Sequence, residues 1–227
     1  PTGRLAGRAG TLLAAAVFVD IKVTGKGGHA AMPHLSVDPV ATAAKIIVEL
    51  QTLVSRELNP LEPGVISITA IHAGEASNVI PESVRMKGTI RSLTAEGMAF
   101  LQQRVRELAT AIAEANRCEA QVQFPRANYP PTVNDATLWE FTQSFAGELL
   151  GADNVLEVAP VMGGEDFSFF GERIPAMFAF LGIGDEQTGA AYPLHHPRFT
   201  LNEDALPIGS AVHAAFAARS LAELTGR

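Results

Sequence analysis

Residues 16–54 read AVFVDIKVTGKGGHAAMPHLSVDPVATAAKIIVELQTLV, and the fold turns on how this stretch divides. Val17, Val19, Ile21 and Val23 alternate with Phe18, Asp20, Lys22 and Thr24, the period of a strand with one buried face. A glycine-rich loop follows at Gly25-Lys26-Gly27-Gly28. Asp38-Pro39 then reads as a helix start, because aspartate caps free amide groups and proline suits the first helical position. Val40, Ala43, Ala44, Ile47, Leu50 and Val54 are expected to share the buried face of that helix.

Working outward, Leu58 to Gly64 holds two prolines and is a loop. Ile66, Ile68 and Ala70 alternate with Val65, Ser67, Thr69 and Ile71 in a second strand. A turn from Gly74 to Pro81 leads to a third, with Val84, Met86, Gly88 and Ile90 on one face and Arg85, Lys87, Thr89 and Arg91 on the other. Thr94 caps a second helix whose stripe is Met98, Leu101, Val105, Leu108 and Ile112. Ala120, Val122 and Phe124 mark a fourth strand. The order β-α-β-β-α-β buries every apolar face if an antiparallel sheet is covered on one side by two helices. Residues 16–127 are therefore expected to form a ferredoxin-like α/β sandwich.

Asn128 to Asn134, with adjacent prolines, predicts a boundary free of helix and strand. Beyond it come a helix over Asp135–Leu150, a loop at Met162–Asp166, a strand over Ala176–Leu181, a loop at Tyr192–Pro197 and a helix from Glu203 to Leu224. One strand cannot make a sheet of ordinary width, so residues 128–227 read as part of a larger α/β domain, with residues 1–15 a remnant and linker.

Composition narrows the function classes. Hydrophobic residues make up 47% of 227, which suits a globular chain. A formal charge of −7 argues against nucleic acid, and no apolar run has the roughly 20 residues of a membrane helix. The single cysteine, Cys118, can form no internal disulfide. These features lead to an expectation of a cytoplasmic protein, although the sequence opens on Pro1 and reads as truncated there.

Gly25-x-Gly27-x-x-Ala30 after a strand loosely matches a dinucleotide fingerprint. Pro33 stands where the helix should run, so no helix N-terminus faces the glycines. The remaining candidates are His29 at the loop end, Asn78 and Arg91 read as bracketing the turn between strands two and three, and the pair His195-His196. A guanidinium on an open sheet face suits a carboxylate. A metal site needs three or four protein ligands, and no His-x-x-x-His or Cys-x-x-Cys pair is present. A nucleophile elbow of the Gly-x-Ser-x-Gly type is also lacking.

The run from Thr24 to His34 (TGKGGHAAMPH) with Asp38-Pro39-Val40 closely resembles the dimerisation-domain signature of the aminoacylase and carboxypeptidase family of dimetal amidohydrolases. The similarity is nearest the branch of hippurate hydrolases and auxin-conjugate hydrolases. Ala76–Pro81 with Gly88–Arg91, Met162–Phe167, and Leu194–Phe199 resemble three further signatures in the same order, which implies that residues 128–227 are the C-terminal part of an α/β zinc-peptidase-like catalytic domain and residues 1–15 its remnant and linker. The resemblance implies hydrolysis of N-acyl amino acids or related peptide-like substrates by a homodimer holding two divalent ions (zinc, manganese or cobalt). It implies that His29 reaches into the partner's site and stabilises the tetrahedral intermediate. Asn78 and Arg91 would help hold the substrate carboxylate, also across the dimer, Gly164 and Glu165 would belong to a loop lining the cleft, and His195 would be a metal ligand. His196 stands where the family usually has a small polar residue. The family's other ligands and its glutamate base have no counterpart here, so the chain alone is expected to be inactive and to bind no metal tightly. The alternative is a non-catalytic dimerisation or ligand-binding module.

Overall fold

The computed structural model describes residues 1–125 and 128–226; the expected domain end at Ala127 lies outside them. The chain is a mixed α/β protein that divides into two compact units, one of Leu13–Thr132 with Val161–Phe169, the other of Pro1–Leu12, Val133–Pro160 and Phe170–Arg227.

In the first unit, β1 (Ala15–Thr24), α1 (Pro39–Thr52), β2 (Gly64–His72), β3 (Ser83–Ser92), α2 (Ala95–Ala115) and β4 (Glu119–Gln123) follow in the expected order. The four strands form one antiparallel sheet in the spatial order β2-β3-β1-β4. Both helices start on side-chain caps. Asp38 Oδ1 accepts from the amides of Val40 and Ala41 at 2.8 and 3.2 Å, and Thr94 Oγ1 accepts from Gly97 at 3.0 Å. Val17, Val19, Ile21 and Val23 of β1, with Val84, Met86 and Ile90 of β3, meet Ile46 and Leu50 of α1 and Leu101 and Val105 of α2 in a single core.

Two details differ from the sequence reading. The buried face of α1 is Pro39, Thr42, Ala43, Ile46 and Leu50. Val40 and Val48 point outward at 42% and 69% exposure, and Ala44 is exposed. Thr42 can be buried because its hydroxyl donates to the Asp38 carbonyl at 2.9 Å. In β2 the register against β3 shifts between Ile68 and Ala70. This bulge at Thr69 reverses the alternation, so Ile71 rather than Ala70 stands opposite Met86. Ile71 is nevertheless 55% exposed, while Ala70 is half-buried. Gly88 faces the bulge, where a Cβ would lie 2.1 Å from the Ser67 carbonyl oxygen.

In the second unit, Val155–Glu157 runs parallel and Phe180–Leu181 antiparallel to Leu5–Gly7, giving a three-stranded sheet of very short strands. The strand expected over Ala176–Leu181 is thus confined to its last two residues. Asn134 explains why: its side chain accepts from the Phe178 amide at 2.7 Å and donates to the carbonyls of Phe178 and Arg8 at 2.8 and 2.9 Å, taking the groups a longer ladder would need. Thr132–Asn134 is itself a strand directly after the prolines, in the segment expected to hold none. Helices α3 (Ala136–Leu150) and α4 (Ala205–Thr225) pack through Phe141, Phe145 and Phe216, edge to face at 5.5–6.3 Å. Among the described residues no helix is long and apolar enough to cross a membrane.

Candidate functional site

His29 stands on a small ribbon rather than on a loose loop. Gly28 and His29 pair with Ile80 and Val79, continuing the β1–β3 ladder past its last pair, Thr24–Ser83. The glycines permit this through close approach. A Cβ on Gly25 would fall 2.2 Å from the Val37 carbonyl oxygen, and one on Gly27 would fall 2.9 Å from that of Ile80. The Ala30 amide donates to the backbone carbonyl of Asn78 at 3.0 Å, so the structure brings His29 and Asn78 together, both exposed. His29 Nδ1 accepts from the Ala31 amide at 3.1 Å.

Arg91 lies elsewhere. It occupies the far end of β3, opposite Ala16 of β1 and Val65 of β2. Asn78 and Arg91 therefore do not bracket one turn, as the sequence suggested. Eight residue steps of extended strand lead from Ser83 to Arg91, about 26 Å at roughly 3.3 Å each, and His29 and Asn78 lie beyond Ser83.

At the Arg91 end the loop from Met162 is pinned to the sheet. The Ala14 amide lies 3.1 and 2.9 Å from the carbonyls of Val161 and Gly163, and Arg91 Nη1 lies 3.5 Å from that of Met162. Gly164 sits flush on β1, where a Cβ would come 2.8 Å from Ala16 Cβ and 3.1 Å from Arg91 Nη1. Tyr129 flanks the same place, bridging to Ala16 on the side away from Arg91. Glu165 accepts the Ser168 hydroxyl at its carbonyl, 2.6 Å away, and the Asp166 amide at its carboxylate, 3.1 Å away. Arg91, Gly164 and Glu165 thus form a second cluster. Tyr129 belongs to it but went unnoticed in the sequence, where its neighbours Pro130-Pro131 signalled only a break.

In the other unit, His195 has a left-handed backbone, φ +67°, and its side chain is exposed. A non-glycine residue there carries a conformational cost that surrounding structure must offset. The offset is visible in His196, whose ring stacks on Tyr192 at 4.4 Å and whose Nδ1 accepts from the Arg198 amide at 3.1 Å. Arg198 also donates to the Tyr192 hydroxyl at 3.3 Å. His196 holds the turn together, and His195 is the ring left projecting. Among the described residues no three His, Cys, Asp or Glu side chains converge to hold a metal ion. His195 is a single candidate ligand, and these residues do not fit a complete metal centre.

A profile of peptidase family M20/M25/M40 matches residues 9–219. The chain is 45% identical over 226 residues to the IAA-amino acid hydrolase ILR1-like 2 of Arabidopsis thaliana, covering 98% of this chain and 51% of that protein. It is 39% identical over 207 residues to an N-acetyldiaminopimelate deacetylase of Leuconostoc citreum, covering 91% and 52%. Among solved structures, the Bacillus subtilis YXEP protein, described as a dinuclear metal binding peptidase of the M20 family, superposes with a TM-score of 0.77 at 31% identity, covering 97% and 54%. The chain belongs to peptidase family M20/M25/M40. It spans about half the length of the curated relatives it matches.

Proposed function

We propose that this chain is part of a metal-dependent amidohydrolase of N-acyl amino acids, working as a homodimer whose active sites each draw on two copies. The observation that carries the proposal is the split of the candidate residues between opposite ends of one sheet. A ligand of dipeptide size spans about 7 Å, so no single copy can present His29 and Arg91 to it across about 26 Å. Two copies can, if the His29 end of one meets the Arg91 end of the other. The unit of residues 16–127 then serves as a ferredoxin-like dimerisation domain, a reading supported by its strand order. Its free edge strand β2 and the outward stripe of Val40 and Val48 on α1 are surfaces through which copies can pair.

In this reading the Arg91 guanidinium grips the substrate carboxylate, with Gly164 and Glu165 lining the cleft beside it. His29 and Asn78 come from the second copy: His29 Nε2 donates to the scissile carbonyl oxygen as charge develops there, and Asn78 helps Arg91 hold the carboxylate. Two divalent ions, zinc, manganese or cobalt, would supply an activated water, with His195 as one ligand. Among the described residues the rest of that centre is not assembled. The second reading is a non-catalytic dimerisation or ligand-binding module.

Turnover decides between them. The complete gene product, screened with N-acetyl, N-benzoyl and indole-acetyl amino acids, is expected to release free amino acid, and His29→Ala to lower turnover by about 100- to 1,000-fold with dimer and metal content unchanged. A dimeric, metal-loaded product that cleaves none of them sinks the hydrolase reading.

A further inference from the structure

Three consecutive amides after His29 are each committed. That of Ala30 donates to the Asn78 carbonyl at 3.0 Å, that of Ala31 to His29 Nδ1 at 3.1 Å, and that of Met32 to the His29 carbonyl at 2.9 Å. The imidazole is thereby folded back onto the turn that follows it. An amide can donate only to a ring nitrogen that carries a lone pair, and a neutral imidazole with a bare Nδ1 bears its proton on Nε2. Among the described residues Nε2 has no partner, and the ring is exposed.

We infer that the backbone amide of Ala31 is a positioning group that locks His29 as the Nε2–H tautomer, so that the ring acts through Nε2 alone. The histidine is then a ready-made neutral hydrogen-bond donor. It needs no prior protonation, and it cannot take a proton or a metal at Nδ1 without giving up the Ala31 bond. The glycines at 25 and 27 serve this arrangement by letting the ribbon lie close enough to Val37 and Ile80 to fix the turn. The same amide-to-Nδ1 bond two residues on recurs at His196 with Arg198, where the ring is also held by stacking on Tyr192. At His29 no ring packs against the imidazole among the described residues, and the amide is what fixes it. That Nε2 faces a substrate oxygen rests on the function proposed above; the lock itself does not.

The lock is testable on this 227-residue chain without activity. With ¹⁵N-labelled histidine at about pH 8, above the ordinary histidine range, NMR is expected to show His29 with a pyridine-like Nδ1 and a pyrrole-like, protonated Nε2. Replacing Ala31 by lactic acid exchanges the amide for an ester and removes the N–H alone. The tautomer preference should then fall by on the order of fivefold. Ala31→Pro removes the same donor by ordinary mutagenesis and should act in the same direction. A protonated Nδ1 in the unaltered chain, or a preference unmoved by the ester, overturns the lock. In the complete gene product, His29→Gln carries an amide nitrogen to about the reach of Nε2, whereas His29→Asn reaches only that of Nδ1. Glutamine should retain at least about tenfold more turnover than asparagine. Equal loss in both, with the NMR signature intact, overturns the role of Nε2 at the substrate oxygen, while the lock stands on its spectrum.

Discussion

Asp20 and Arg85 show what a single pair contributes on the open face of the sheet. The Arg85 guanidinium reaches across β1 and β3 to Asp20 in a fork, with nitrogen–oxygen distances of 2.7–3.0 Å, and the Asp20 side chain beneath is only 14% exposed. The hydrogen bonds from Arg85 hold the Asp20 carboxyl below its ordinary range, outweighing the desolvation that would raise it. A carboxylate depressed in the folded state stabilises above its unfolded pKa of about 3.9 and loses that contribution as pH falls through the folded value. Asp20→Asn should therefore cost up to about 1 kcal/mol at neutral pH, and the gap to the parent in urea melts should close as pH drops below about 4. An equal gap at pH 3 and pH 7 would mean that packing, not charge, is at work. Gly88 makes a sharper demand. Because a Cβ there meets the Ser67 carbonyl at 2.1 Å, Gly88→Ala must displace the bulged strand, at about 1–3 kcal/mol by chemical denaturation. Sequence made Gly88 a core-face position; only the bulge opposite explains why it carries no side chain.

Elements were legible where one period or one cap decides them. The alternation in β1 and β3, the Asp38 and Thr94 caps and the order of the six elements follow from local rules, and the structure holds all of them. What local rules could not settle was the exact centre of the face that α1 buries. Of the expected residues Ala43 and Leu50 are buried and Ile47 and Val54 pack against the core, while Val40 and Ala44 are exposed and Thr42 and Ile46 are buried in their stead. That choice belongs to what the sheet presents, not to the helix. Thr42 looks polar in sequence but cancels its own cost by bonding to Asp38. The observed face predicts an asymmetry: Ile46→Ala, fully buried, should cost about 2–5 kcal/mol, while Val48→Ala, 69% exposed, should stay within about 0.5 kcal/mol. Thermal melts of the two variants that came out equal would put the wrong face inward. The phase change in β2 was illegible for a similar reason, since a bulge is a relation between two strands and leaves no mark in the alternation of one.

At the scale of the molecule, the sequence supplied the candidate residues but not their distances. Asn78 and Arg91 stand 13 positions apart and read as neighbours of one turn; the straight run of β3 between them places them at opposite ends of the sheet. Conversely, Arg91 and Gly164 are far apart in sequence yet lie with 3.1 Å between the Arg91 Nη1 and the position of a Gly164 Cβ. If each active site combines the His29 end of one copy with the Arg91 end of another, two different inactive variants must complement each other. In the complete gene product, His29→Ala and Arg91→Ala are each expected to be nearly inactive as homodimers. A mixed dimer has one site that receives both damaged residues and one that receives His29 from the Arg91→Ala copy and Arg91 from the His29→Ala copy. Random reassociation of equal amounts makes about half the dimers mixed, each with one sound site of two, so about a quarter of the parent turnover should return. The return should follow the kinetics of subunit exchange and vanish if the variants are mixed without dissociation. Were both residues to act from the same copy, every site in the mixture would carry one lesion and nothing would return. Activity staying at the level of the separate variants after demonstrated exchange would thus rule out a site that takes His29 from one copy and Arg91 from the other, and would assign both residues to a single copy.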